Sequence, residues 1–175
     1  MHNLNFTPFP EMRTENLVLR KIQIEDINEY FILKSDLRLL VHYEAKAKNL
    51  AETKKKLESI NEDINKNEAI LWGIALKGAD KIIGSICYWN ISEDGLKAEI
   101  GYELMVDWQG RGIMNEAVQA VVKYGFNQMG LEIIEACPNA TNIKSLKLLE
   151  RNKFIKKDSP DGLSSSYACY SLKRQ

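Results

Sequence analysis

Three cysteines, two histidines and four prolines are all that 175 residues contain of the residue types that staple, ligate and break a chain. Cys87, Cys137 and Cys169 are widely spaced and odd in number, which argues against a disulfide framework or a structural zinc site and points to three reduced, mostly buried thiols. Neither His2 nor His42 stands in a His-x-x-x-His or Cys-x-x-Cys setting, so no metal is expected. Charge of one sign is lacking too: 24 basic residues balance 24 acidic ones, which speaks against nucleic acid as a direct partner. No apolar run is long enough to span a bilayer, and residues 1–20 lack the charged, apolar and small-residue succession of a signal peptide. The expected setting is therefore cytoplasmic, away from membranes.

What is present is ordinary for a globular chain: 45% apolar and 27% charged residues, enough for one core, with no repeat, low-complexity tract or linker to divide residues 1–175 into more than a single domain. Leu17-Val18-Leu19-Arg20 reads as a strand. Residues 25–34 read as a helix with an apolar stripe of Ile24, Ile27, Tyr30 and Phe31, and residues 51–65 as another with Leu57, Ile60 and Ile64 on one face and Lys54, Lys55 and Lys56 on the wet side. Apolar runs at 70–76, 82–91 and 100–106 are joined by short polar connections containing glycine, the pattern of an antiparallel meander. From Ile113 the period changes to that of a helix, through Ala117, Ala120, Val121 and Tyr124. A strand at 131–136, a helix at 142–152 and a strand near 166–172 complete the domain.

Between the meander and the helix lies Val106-Asp107-Trp108-Gln109-Gly110-Arg111-Gly112-Ile113-Met114-Asn115-Glu116-Ala117. The first turn of a helix carries unpaired N–H groups and a partial positive end, and glycines remove side chains that would hold a diphosphate away. Arg111 adds a positive charge. A Walker loop would need Gly-x-x-x-x-Gly-Lys-Ser/Thr, and a dinucleotide fingerprint a third glycine where Asn115 stands, usually after a parallel sheet. On its own the Gly110-x-Gly112 pair is also what a tight turn needs.

Gln109-Gly110-Arg111-Gly112-Ile113-Met114 resembles the Gln/Arg-x-x-Gly-x-Gly/Ala signature of the GCN5-related N-acetyltransferases (GNAT), in particular the branch that includes the ribosomal-protein N-terminal acetyltransferases. Thr14-Glu15-Asn16-Leu17-Val18-Leu19-Arg20 is similar to that family's opening strand. Ala98-Glu99-Ile100-Gly101-Tyr102-Glu103-Leu104 is similar to the strand before the signature, and residues 142–150 with Phe154 to its closing helix. The resemblance covers most of the chain and implies an α/β (α+β) domain with a mixed, mostly antiparallel sheet of about six to seven strands, about four flanking helices and a splay at the cofactor site. Two positions depart from the pattern. Met114 stands where Gly or Ala is usual, and Lys153 replaces the glycine before the phenylalanine, so Lys153 or Asn152 must take the helix-ending conformation.

The resemblance further implies acetyl-CoA as acetyl donor, with its pantetheine along the main chain of Leu104, Met105 and Val106 and its diphosphate on the amides of Gln109, Gly110, Arg111, Gly112, Ile113 and Met114. An amine must be neutral to attack a thioester, and a carboxylate in a partly buried cleft suits removal of its proton. Glu99 matches the family's general-base position; Glu103 and Glu116 compete, and alternation puts Glu99 and Glu103 on one face unless a bulge intervenes. A strand amide near Leu104 or Met105 suits the developing oxyanion. Many relatives place a tyrosine on the last helix to protonate the departing thiolate, but Leu149 stands there, which leaves Ser145 as donor and Asn142, three residues earlier on the same face, as a pantetheine contact. Each also has a plainer reading, Asn142 as a helix cap and Ser145 as a first-turn residue. Cys137 invites an acetyl-cysteine route, but without a histidine nearby direct transfer is preferred.

The acceptor is less legible. Tyr43 and Glu44 fall in the loop between the early helices, where they could flank an amine or simply be a packed aromatic and a surface carboxylate, and His42 is a remote candidate base. A protein N-terminus, a polyamine, an amino sugar and an antibiotic amine are all compatible with the resemblance, and a homodimer stays open. The rival class is a cofactor-binding sensor or interaction module of weak activity, for which Leu149 is the best support.

Overall fold

A computed structural model describes residues 4–41, 49–157 and 166–175. Eight strands form a single sheet in the order β1-β2-β3-β4-β5-β6-β8-β7. The chain runs through β1 (Met12–Arg13), β2 (Leu17–Arg20), α1 (Ile27–Ser35), α2 (Leu37–Leu40), α3 (Leu50–Asn65), β3 (Ile70–Leu76), β4 (Ile82–Trp89), β5 (Lys97–Leu104), α4 (Ile113–Asn127), β6 (Ile133–Ala136), α5 (Ile143–Arg151), β7 (Ile155–Lys156) and β8 (Tyr170–Lys173). All neighbours pair antiparallel except β5 and β6, which α4 joins as a parallel crossover. The class expected from the sequence therefore holds, with β1, β7 and α2 too short to have left a period of their own.

The core forms where the periods said it would. Ile113, Ala117, Val118 and Val121 bury one face of α4, and Leu57 and Ile64 that of α3, with Asn49 capping α3 by accepting from Glu52 N–H at 2.9 Å. On α1 the stripe is displaced: Tyr30 and Leu33 are buried, whereas Ile24 lies in a 3-10 turn before the helix and is half exposed. Trp72 is fully buried in β3, edge-on to Phe9, Tyr88 and Tyr124, and its indole N–H is satisfied by Pro10 O at 2.7 Å. The Arg20 guanidinium clamps the buried Asp26 carboxylate through both oxygens, at 2.7 and 2.8 Å, which ties β2 to the start of α1.

Two expectations need correcting. The third meander strand spans Lys97–Leu104 and not 100–106, because the side chains of Ala98, Ile100 and Leu104 alternate into the core while Met105 turns the chain into a 3-10 helix at Val106–Trp108. Cys137 and Cys169 are joined in a disulfide, so they are not two reduced thiols; Cys87 alone of the three is free. The β6/β8 register pairs Ala136 with Tyr170, which sets the next residue of one strand opposite the preceding residue of the other, a proximity that 32 residues of sequence separation conceal. Cys137 as an acyl-carrying nucleophile falls with this.

Candidate active site

The pairing of β5 with β6 stops at Glu99 and Glu135, while β5 runs on to Leu104 along β4. Past Glu99 the sheet is split, and one edge of β5 faces the opening. Met105 N–H donates to Ile83 O at 2.9 Å, and antiparallel alternation then turns the N–H groups of Leu104 and Tyr102 away from β4 toward that opening. The carbonyls of Met105 and Val106 are occupied within the turn by Trp108 N–H and Gln109 N–H. The N–H groups of Tyr102 and Leu104 thus lie on the edge of β5 that turns toward the opening, and Leu104 and Val106 both line it. Met105 does not line the opening.

A cleft of about 820 Å³ occupies the split. Tyr102, Glu103 and Leu104 form one side, Gly110, Gly112, Ile113, Met114 and Asn115 its floor, and Asn142, Ser145 and Leu148 the other. Because Tyr102 and Glu103 are successive strand residues that point to opposite faces, a cleft lined by both wraps around the free edge of β5. Its floor is a helix start. Gly110 and Gly112 have φ of +78° and +80°, a conformation that costs other residues about 1–2 kcal/mol, and a Cβ on either would meet nothing within 4 Å. Glu116 N–H is the first in α4 to reach a helical carbonyl, that of Gly112 at 3.1 Å, so the preceding amides are donors without an intrahelical partner. Arg38, Lys144, Lys147 and Arg151 add positive charge around the rim. A diphosphate suits this donor set.

Gln109 braces the mouth: its Nε2 donates to Leu104 O at 3.1 Å and its Oε1 accepts from Lys144 Nζ at 2.9 Å, linking β5 to α5. Arg111 turns away, donating to Asp107 O and stacking over Trp108 with 4.9 Å to the ring centroid. Asn142 caps α5, its Oδ1 accepting from Ser145 N–H at 3.2 Å, and also lines the cleft. Ser145 is buried, with its Oγ 2.8 Å from Tyr102 Oη, while Leu149 is fully enclosed in the core. Lys153, with φ of +67°, and not Asn152, takes the left-handed position after α5; Asn152 reaches across to Asn115 Oδ1 at 3.0 Å.

The three carboxylates have different surroundings. Glu116 accepts from Asn16 N–H at 2.8 Å and Asn16 Nδ2 at 3.0 Å; burial works against its charge, but these bonds and Thr14 hold its pKa below the ordinary value, so it ties α4 to the chain before β2. Glu103 accepts from Ser85 Oγ at 2.8 Å and pairs with Lys34 Nζ at 2.5 Å. Burial pulls the Lys34 ammonium down, yet Glu103 and Tyr30 outweigh it and raise its pKa. Cys87 beside this pair is pushed up to about 11 by burial. No register shift interrupts β5, so Glu99 shares a face with Glu103. Burial, with Glu135 in support, raises the pKa of Glu99 against a hydrogen bond from Asn90. Glu99 does not line the cleft but stands at the point where the sheet divides. Tyr43, Glu44 and His42 lie outside the described residues.

Sequence reasoning missed Tyr102, which sits between the two glutamates and points the other way. The period-2 alternation of β5 carried that signal, since it assigns Tyr102 to the face of the closing helix. Lys144 and Asn115, both on helical first turns beside the cleft, were given no role for want of a partner in the sequence.

A family model described as an acetyltransferase (GNAT) domain matches residues 16–155. The chain is 31% identical over 155 residues to the uncharacterized N-acetyltransferase p20 of Bacillus licheniformis, across 88% of this chain and 85% of that one. Among solved structures it resembles the ribosomal-protein-S5-alanine acetyltransferase of Vibrio fischeri, with a TM-score of 0.81, 23% identity and coverage of 94% and 96% of the two chains. It also resembles RimL, the ribosomal L7/L12 alpha-N-protein acetyltransferase solved in complex with coenzyme A, with a TM-score of 0.80, 18% identity and coverage of 94% and 98%. The chain belongs to the GNAT acetyltransferase family and is an N-acetyltransferase.

Proposed function

We propose that residues 1–175 act as one domain that transfers an acetyl group from acetyl-CoA directly to a primary amine, either a protein N-terminal α-amine or a small-molecule amine. The observation that carries this reading is the open helix start of α4, whose amides face the same cleft as the free edge of β5. Acetyl-CoA supplies an activated acyl group as a thioester. Gly110, Gly112, Ile113 and Met114 would hold its diphosphate through main-chain N–H groups, with Lys144 and Arg38 near its remaining phosphate. Tyr102 and Leu104 would bond the pantetheine amides along a strand edge that spans roughly 14 Å from residue 100 to 104 at about 3.4 Å per residue. Val106 and Asn142 border that path. The name of RimL, a relative solved with coenzyme A and acting on a protein α-amine, supports the donor and one of the two acceptor classes.

Glu99 accepts the proton of the incoming ammonium, directly or through water; its raised pKa brings it nearer to neutrality, where a base is most useful. Glu103 is committed to Lys34 and Ser85 and is the weaker candidate. On the other face of β5, Ser145 donates to the departing sulfur. Calorimetry with coenzyme A and a thiol-release assay over N-terminal peptides, polyamines and amino sugars test the proposal. Turnover of at least one amine together with coenzyme A binding is the expected result; binding without turnover of any amine would favour the sensor reading that the buried Leu149 supports.

A further inference from the structure

We propose that Tyr102 is a positioning residue whose phenol donates to Ser145 Oγ and so turns the serine O–H into the cleft, toward the departing sulfur. The inference rests on the reading of Ser145 as the leaving-group donor. A helical serine can bond back to the carbonyl three or four residues earlier, which would spend its only proton. Here its Oγ lies 2.8 Å from Tyr102 Oη, a residue 43 positions away on a strand. Both side chains line the cleft, with Ser145 only 8% exposed and Tyr102 half-buried. Burial pushes the Tyr102 phenol up to about 12, which keeps it a neutral O–H at physiological pH. A phenol that donates fixes the direction of the serine proton, because an Oγ accepting from Tyr102 must send its own O–H elsewhere.

Magnitudes set the kind of help given. A thiol of reference pKa about 8.5 is a far stronger acid than a serine, so no net proton leaves Ser145. The carbon–sulfur bond breaks with its electron pair on sulfur, Ser145 donates a hydrogen bond to that thiolate, and the thiolate takes its proton from solvent on release. Leu149, one turn further along α5, is enclosed in the core and offers no hydroxyl. The phenol thus arrives from β5.

Product coenzyme A is a probe of this arrangement that needs no acceptor. Its bound thiol is titrated through the ultraviolet absorbance of the thiolate in wild type, Ser145→Ala, Tyr102→Phe and the double variant, each checked for folding by its melting curve. Loss of one charge-assisted hydrogen bond raises the bound thiol's pKa by about one unit. That rise is expected in Ser145→Ala, most of it in Tyr102→Phe, and no more in the double variant than in Ser145→Ala alone. Site-specific 3-fluorotyrosine at position 102, a stronger donor with the same packing, should move the value the other way. A Tyr102→Phe titration equal to wild type overturns the proposal, as does a shift in Tyr102→Phe with none in Ser145→Ala, which would make the phenol itself the donor. If wild type binds no coenzyme A in calorimetry, the proposed function fails and this inference with it.

Discussion

Gly112 offers the sharpest test of the helix-start site, because its two burdens can be separated. At φ +80° and ψ −7° it sits in the left-handed region, where a β-carbon costs about 1–2 kcal/mol and a β-branched residue more, whereas Asn tolerates the conformation comparatively well. Since a Cβ there meets nothing within 4 Å, the stability cost is almost wholly conformational. In a chain of this size it should lower the melting temperature by about 2–4 °C per kcal/mol, in the order Asn, Ala, Val. Binding obeys a different rule. The open space beside Gly112 belongs to the cleft, so each added atom stands between the α4 amides and a diphosphate. Losing one charge-assisted hydrogen bond of about 1.5–3 kcal/mol weakens coenzyme A by roughly 10- to 150-fold. Calorimetry on folded Gly112→Asn, Gly112→Ala and Gly112→Val should therefore show a loss even in the Asn variant, whose stability suffers least. A folded Gly112→Val that binds coenzyme A like wild type refutes the assignment.

Three further outcomes follow from the site and the core. Glu99→Gln should lower turnover most near neutral pH, with the deficit shrinking as rising pH supplies free amine; a carboxyl whose folded pKa is raised also loses stability as pH climbs through that value, so the variant should melt higher than wild type at neutral pH. A melting temperature that does not rise would mean Glu99 is better solvated than its surroundings imply, and unchanged rates across the range would remove it as base. Thiol titration of the unreduced, denatured chain should find one reactive cysteine, Cys87, and three after reduction; opening the loop of 32 residues is expected to cost about 3–4 kcal/mol, read in urea. Asp26→Asn should cost about 3 kcal/mol by stranding the Arg20 guanidinium, and because the bonds from Arg20 and Gln23 N–H outweigh burial and depress the Asp26 pKa, wild type should keep this contribution above the ordinary aspartate range and lose it as pH falls through the depressed value.

Local periodicity carried what local contacts decide. β2 at Leu17–Arg20 and the helices α3 and α4 stand within a residue or two of where alternation and helical spacing put them, since each buries a face that the sequence spells out. The end of β5 was misread because Met105 and Val106 extend an apolar run, while the termination depends on Met105 N–H meeting Ile83 and on a 3-10 turn that brings Gln109 back toward Leu104. The Cys137–Cys169 pair was invisible for a related reason: it is set by strand register across β6 and β8, a property of pairing and not of either segment. Glu103 and Glu116 competed with Glu99 in sequence, and their partners Lys34 and Asn16 could not be read there because they arrive from 69 and 100 residues away.

The division of labour proposed here follows from a strand losing its neighbour. Where β5 is paired on both sides, Ala98 is buried, while Lys97 is exposed and Glu99 half-buried opposite Glu135. Past Glu99, where β6 has departed, the same alternation puts side chains on both sides of one opening, Glu103 on the face of Lys34 and Tyr102 on the face of Ser145, with Glu99 at the point where it begins. The main chain between them is left facing the gap. A single extended segment of about six residues can thus offer a base on one side, an edge of N–H and C=O groups in the middle and an oriented donor on the other. Slipping its register by one residue would exchange the faces, sending Glu103 toward α5 and Tyr102 toward Lys34, and both the Lys34–Glu103 pair and the Tyr102–Ser145 bond would be lost together.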